Sequence, residues 1–230
     1  MDDRNLLLVT VYIICVTYVL YRMVKSLNIT QVTIQLNQEL LNTQLEEQNL
    51  KDILEIQFKL KKRYLLEDLK ELSISIKNKS QQDFIEIDWD RSTLTDFQGQ
   101  SRRVIRITPT MQLDLSERQV FRVIAAGNVL SEKLTVEDVL KGDATNPTLK
   151  ISAPLFDLSK LRKGKDTQKK LYSDFMTRNR TLQFSLKLVL RVANTTIEVG
   201  RLVNHILSCE FIVSKVPWTE SLSWKPKDDD

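Results

Sequence analysis

The sequence predicts a tethered, mainly β protein: an N-terminal transmembrane helix and a long amphipathic helix, then an antiparallel two-sheet sandwich with two short helices. Three observations predict it. Residues 5–21 form an uncharged, predominantly apolar window. No glycine precedes Gly99, no proline precedes Pro109, and apolar residues in this first third recur at helical spacing. From Leu72 the period drops to two, and short alternating runs separated by polar turns fill most of the remaining chain. The expected boundaries are an anchor at 1–25, a helical connector at 26–70, a β-sandwich domain at 71–216 and an extended tail at 217–230.

A helix needs ~20 mostly apolar residues to cross ~30 Å of hydrocarbon. The run at 6–24 approaches this, with Tyr12, Tyr18 and Tyr21 able to set hydroxyls at headgroup depth while Arg22 snorkels. A cleaved signal peptide fits less well: Asp2 and Asp3 precede Arg4, and no small-residue cleavage site follows the run. Tyr12, Ile13 and Ile14 also lack the small side chains that lipid attachment at Cys15 requires. One basic residue flanks the run before it (Arg4) and two after it (Arg22, Lys25), so the positive-inside rule favours a cytoplasmic body by a single charge. Cys209 is the only cysteine outside the anchor, which excludes a disulfide within the body and agrees with a reducing compartment. Sequons at Asn28, Asn78, Asn179 and Asn194 matter only on a eukaryotic secretory route.

Over residues 31–69 the pairs Leu36/Leu40, Leu41/Leu45, Leu50/Leu54 and Leu65/Leu69 read as an amphipathic helix. A heptad frame through Ile29, Val32, Leu36, Leu50, Ile53 and Leu60 places Glu39, Thr43, Glu46 and Gln57 in the seam, so a strict coiled coil is not specified. A stalk or oligomerisation helix and a helix folded back on the body are both open, because periodicity identifies an apolar face without identifying what covers it.

Beyond it, Leu72, Ile74 and Ile76 alternate with polar residues, as do Ile85, Ile87 and Trp89 after a polar turn at 78–83. A glycine-containing loop at 96–101 leads to a returning strand at 103–107, and Met111, Leu113 and Leu115 alternate again. Residues 120–124 read as a short strand before the Ala126-Gly127 turn. Thr135 and Asp138 have capping-box spacing and open a short helix at 136–141; Asp166 or Thr167 caps a second one running to Arg178. Leu182, Phe184, Leu186, Leu188, Leu190 and Val192 then alternate without a fault; after an Asn194-Thr195 turn come Ile197 and Val199, then Leu207, Cys209, Phe211 and Val213.

The runs LSISIKNKS at 72–80, IEIDWDRSTLTDF at 85–97 and GQSRRVIR at 99–106 carry a resemblance. Together they resemble a β-sandwich module of uncharacterised bacterial proteins, including membrane-anchored ones of cyanobacterial type, in which an N-K-S turn precedes a strand with W-D and then a G-x-S-R hairpin. The resemblance implies an immunoglobulin-like sandwich and a bacterial membrane, and it brings no activity or catalytic residue. Where such modules often have a proline-glycine turn, this chain has Ala126-Gly127.

Few residues suggest chemistry. His205 and Cys209 are four apart, but a buried inert thiol is ordinary in so apolar a run, and one histidine with one cysteine cannot make a four-ligand zinc site. Asp88 and Asp90 flank Trp89 and can share a proton or cation only if both face one way; the ordinary reading is a solvated face. Gly164-Lys165 lacks the remaining glycines and the hydroxyl of a phosphate loop. No catalytic residue, cofactor or metal is therefore expected. The one dense basic run is Lys160, Arg162, Lys163, Lys165, Lys169 and Lys170, with Asp166 the single acid among them. On an anchored protein each such base adds ~1 kcal/mol of attraction to an anionic leaflet, although a solvated loop or a partner contact reads equally from sequence. A net charge of +4 with well-mixed signs and no nucleic-acid motif does not favour nucleic acid. The expectation is a single-pass, non-enzymatic interaction or assembly module whose partners are membrane lipid and other membrane proteins. The alternative is a structural subunit that forms homo-oligomers through its helical connector.

Overall fold

Strict alternation in one strand sets the architecture. Leu182, Phe184, Leu186, Leu188, Leu190 and Val192 are all buried while the residues between them are not, so this strand lays one face on a core and needs neighbours on both edges. The computed structural model describes residues 3–27, 31–107, 118–143, 146–193 and 202–217. In chain order its elements are α1 (Asp3–Leu27), β1 (Gln31–Leu36), α2 (Gln38–Glu47), β2 (Leu54–Phe58), β3 (Tyr64–Leu65), β4 (Leu72–Asn78), β5 (Phe84–Thr95) and β6 (Ser101–Ile107). There follow β7 (Arg122–Ile124), β8 (Val129–Val136), β9 (Leu140–Asp143), β10 (Asn146–Ile151), α3 (Leu158–Lys163), α4 (Asp166–Met176), β11 (Leu182–Ala193) and β12 (Leu202–Lys215).

Ten strands form one antiparallel sheet in the order β2-β4-β8-β6-β5-β11-β12-β1-β3, with β7 alongside β5; β9 and β10 make a separate hairpin. β6 turns the corner, since residues 101–103 pair with β5 while residues 104–107 pair with β8. The sheet therefore folds over, and β2-β4-β8 faces β5-β11-β12 across a shared core. Leu72 and Leu134 from the first layer meet Leu94 and Leu186 from the second, and Phe58 of β2 packs edge-on against Phe211 of β12 at 4.9 Å. A mainly β antiparallel body consistent with a sandwich is thus what the alternating runs build.

Two expected helices are corrected. Residues 31–69 do not form a connector helix, because only Gln38–Glu47 is helical there, capped by the Asn37 side chain on the Leu40 N–H at 3.2 Å. Asn49, at φ 56°, leads the chain out of the helix. Val32 and Ile34 alternate into the core from β1, and Leu54 and Ile56 do so from β2. These residues satisfy a period of two as well as a helical one, and the ladders to β12 and β4 decide between them. The β domain starts at Gln31 rather than at 71, and the expected seam positions from Val32 to Leu60 lie inside it. The helix expected at 136–141 is instead the end of β8, a 3-10 turn at Glu137–Val139 and β9. Thr135, its expected cap, is 1 % exposed within β8 and donates its hydroxyl to Lys70 O at 3.0 Å. The helix expected from Asp166 is α4, one residue earlier at its cap, and α3 before it was not expected. The runs at 111–115 and at Ile197 and Val199 lie outside the described residues.

Two glutamine amides complete the sheet where strands run out. β1 pairs with β12 only as far as Phe211; beyond it Gln44 of α2 accepts from Ser208 N–H at 2.7 Å and donates to Ser208 O at 3.2 Å. Gln119 does the same for β6, accepting from Arg106 N–H at 2.9 Å and donating to Val104 O at 2.8 Å. A primary amide sets an N–H donor and a carbonyl acceptor side by side, as a strand's peptide groups do, so each stands in for a neighbouring strand. Gln119→Leu keeps the volume and orphans two buried backbone groups; it is expected to cost about 2–3 kcal/mol in a urea melt.

Candidate functional site

The titratable pairs read from the sequence do not assemble. His205 and Cys209 sit on one strand about 13 Å apart along its axis, by a rise of ~3.3 Å per residue. Cys209 is fully buried among Leu207, Phe211 and Val213, and burial pushes its thiol up to about 12. His205 Nδ1 lies 3.1 Å from Gln48 Oε1, and burial lowers its pKa. Asp88 and Asp90 are parted by a bulge in β5 that sets residues 89–92 opposite Leu188 alone. Asp88 is held by Arg191 at 3.5 Å and by Arg91 at 3.6 Å, whereas Asp90 takes Arg103 at 2.5 Å and Gln119 N–H at 3.0 Å. Each carboxylate is neutralised separately, and among the described residues no three metal-ligating groups converge.

The basic run is brought together on the α3–α4 hairpin. Asp157 caps α3 by accepting Ser159 N–H at 2.8 Å, and a hydrogen bond with the Ser159 side chain, more than this one, lowers the pKa of its carboxyl. Gly164 ends α3, and the Gln168 side chain folds back over it to accept Lys165 N–H at 3.0 Å; a Cβ on Gly164 would lie 1.8 Å from Gln168 Oε1, so a larger residue would have to push this side chain out of its place over the turn. Leu161 and Phe175 are buried and fix the hairpin to the core, where Phe156 extends the stack Phe97, Phe184, Phe211. With those faces used, Lys160, Arg162, Lys163, Lys165, Lys169 and Lys170 all point to solvent. Lys169 meets Asp166 at 3.3 Å, an exposed pair of small energetic weight.

Where the hairpin sits could not be read from the sequence. Lys215 Nζ donates to Met176 O, at the last residue of α4, at 2.9 Å; Lys215 is the ladder partner of Val32, and Val216 N–H donates to Gln31 O at 2.9 Å. At its other end α4 reaches the β5–β6 turn, where Gln168 Nε2 donates to Gln98 Oε1 at 2.9 Å. The basic hairpin therefore caps the end of the sheet at which β1 begins, four residues after the last residue of α1. A groove of about 530 Å³ opens between the hairpin and the 3-10 turn at Leu66–Asp68, floored by Leu66, Phe156, Tyr172 and Met176 and edged by Asp157 and Arg162.

α1 is a continuous 25-residue helix. Its described side chains, at position 5 and positions 7–21, are exposed all the way round, including Leu7, Leu8, Ile13, Ile14, Val19 and Leu20. Among the described residues no helix is long and apolar enough to cross a membrane.

A second basic element escaped the sequence reading. Residues 59–63 hold Lys59, Lys61, Lys62 and Arg63, a denser run than 160–170 that lies within the expected connector helix. The fold puts them on the β2–β3 connection, exposed and beside the start of β1. No family model matches the chain, and neither a curated protein nor a solved structure is detectably similar to it.

Proposed function

We propose that the protein is a membrane-anchored, non-enzymatic interaction or assembly module, held by α1 with its α3–α4 end toward an anionic leaflet. The observation that carries this reading is α1: its described side chains, most of them apolar, are exposed all the way round, and insertion into a bilayer would remove them from water although the described residues alone fall short of a full span. The six exposed bases on the end cap support it, because they lie where the chain arrives from α1 and each gains attraction at an anionic surface. The chemistry of the body agrees, since Asp88 and Asp90 are each paired with an arginine and its one cysteine in the β domain is buried with its thiol pKa pushed up to about 12. The body acts by being close to its partners, and the short junction after α1 keeps it close. Alkaline carbonate extraction tests this: the full chain is expected to stay in the membrane pellet, and a chain beginning at Gln31 to be released. Recovery of the full chain in the carbonate supernatant would overturn the reading.

A further inference from the structure

The β2–β3 connection carries four bases in residues 59–63, and the fold pins it. Lys59 N–H donates to Ser73 O at 3.0 Å, Lys61 N–H donates to Tyr64 Oη at 2.7 Å, and Tyr64 and Leu65 pair with Val32 and Gln31 of β1. The pinned loop walls one side of a concavity of about 560 Å³, and Lys70, on the approach to β4, stands on its rim. Lys59, Lys61, Arg63 and Lys70 all line it and are all exposed. Of the two carboxylates in the lining, Glu71 is engaged by Lys133, so the concavity carries a clear excess of positive charge. The site is also held near the end of α1, because β1 begins at Gln31 and the four residue steps from Leu27 span at most about 14 Å.

We propose that this concavity binds the phosphate of an anionic lipid headgroup in the leaflet that α1 enters. Several ammonium groups around one hollow suit a compact, multiply charged oxyanion. The hollow is formed before the ligand arrives, since backbone bonds and the β1–β3 ladder fix the loop, so little ordering is needed on binding. The α3–α4 hairpin contributes a diffuse, screened attraction; this concavity contributes a preference for phosphate. The inference rests on the reading of α1 as an anchor.

The test uses the full chain in nanodiscs of phosphatidylcholine, alone or with about 20 % phosphatidic acid, and follows hydrogen exchange of the amides at 59–65. Those amides are expected to exchange at least about fivefold more slowly in the acidic discs, and less so at high salt. The slowing is expected to vanish in a Lys61→Ser, Lys70→Ser variant and to persist in a Lys77→Ser, Lys187→Ser variant, all four being exposed positions. Equal exchange in the two kinds of disc, or a slowing that survives loss of Lys61 and Lys70, overturns the site. The same slowing by free glycerol phosphate in neutral discs overturns the lipid as its ligand. A chain that does not enter discs at all overturns the anchor, and the site with it.

Discussion

Phe211→Ala is expected to lower the unfolding free energy by about 3–5 kcal/mol, the cost of deleting a large aromatic side chain that cannot be replaced by collapse around it. Phe211 is fully buried and is the point at which the two layers of the folded sheet meet. It stacks on Phe184 at 4.6 Å and 11°, takes the edge of Phe58 at 4.9 Å and 86°, and through Phe184 reaches Phe156 and Phe97 beneath the α3–α4 cap. A void there removes contacts from β2, β11 and β12 together, so neighbouring strands cannot fill it without leaving their ladders. At roughly 2–4 °C per kcal/mol for a body of this size, thermal unfolding should fall by about 6–20 °C. Phe84→Ala is the matched control: that ring is 41 % exposed, and its loss is expected to change stability by less than about 1 kcal/mol. Equal losses at the two positions would mean that the aromatic stack is not what joins the layers.

The contrast between β11 and β1 explains how much of this fold was legible. β11 alternates over its whole length with no competing helical period, and residues 182–192 were read correctly as a strand for that reason. In residues 31–69 apolar side chains recur at spacings of two, three and four at once: Val32, Ile34 and Leu36 suit a strand, while Leu36, Leu40 and Leu41 suit a helix. The choice is made by a ladder to residues 211–215 of β12, far along the chain, and no local window contains that partner. Thr135 failed in the same way, since its capping-box spacing is local and its burial against Lys70 O is not. Gln44 and Gln119 were unreadable for a different reason: an amide that substitutes for a strand has no sequence signature apart from being a glutamine. Of the candidate site, the run at 160–170 was legible as charge, because like charges close in sequence need no fold to bring them together. Its position at the entry end depends on Lys215, Val216 and Gln98, none of which the run itself specifies. The bases at 59–63 were equally visible as letters, and only the false helix disguised them.

Paired lysines in the middle of α1 are expected to release the protein from the membrane, and the pattern of release separates a spanning helix from one lying on the surface. Ile13→Lys with Val16→Lys places two charges on one side of the helix; Val11→Lys with Ile14→Lys places two on the other, at nearly the same depth. A charge at the centre of a span costs about 2.5–3.5 kcal/mol on insertion scales, so in a spanning helix either pair would cost about 5–7 kcal/mol wherever it points, because hydrocarbon would surround it on all sides. A helix lying in the interface tolerates charge on its water-facing side and suffers only on the other. Both pairs are therefore expected to move most of the chain from the carbonate-resistant pellet to the supernatant. Asn5→Lys, near the end of the apolar run, is expected to leave it in place because a terminal lysine can snorkel to the headgroups. Release by one pair and not the other would make α1 a surface helix. The basic cap and the β2–β3 concavity would then still face a leaflet, but the body would be held by apolar burial along one side of α1, with affinity set far more strongly by the charge of the lipid.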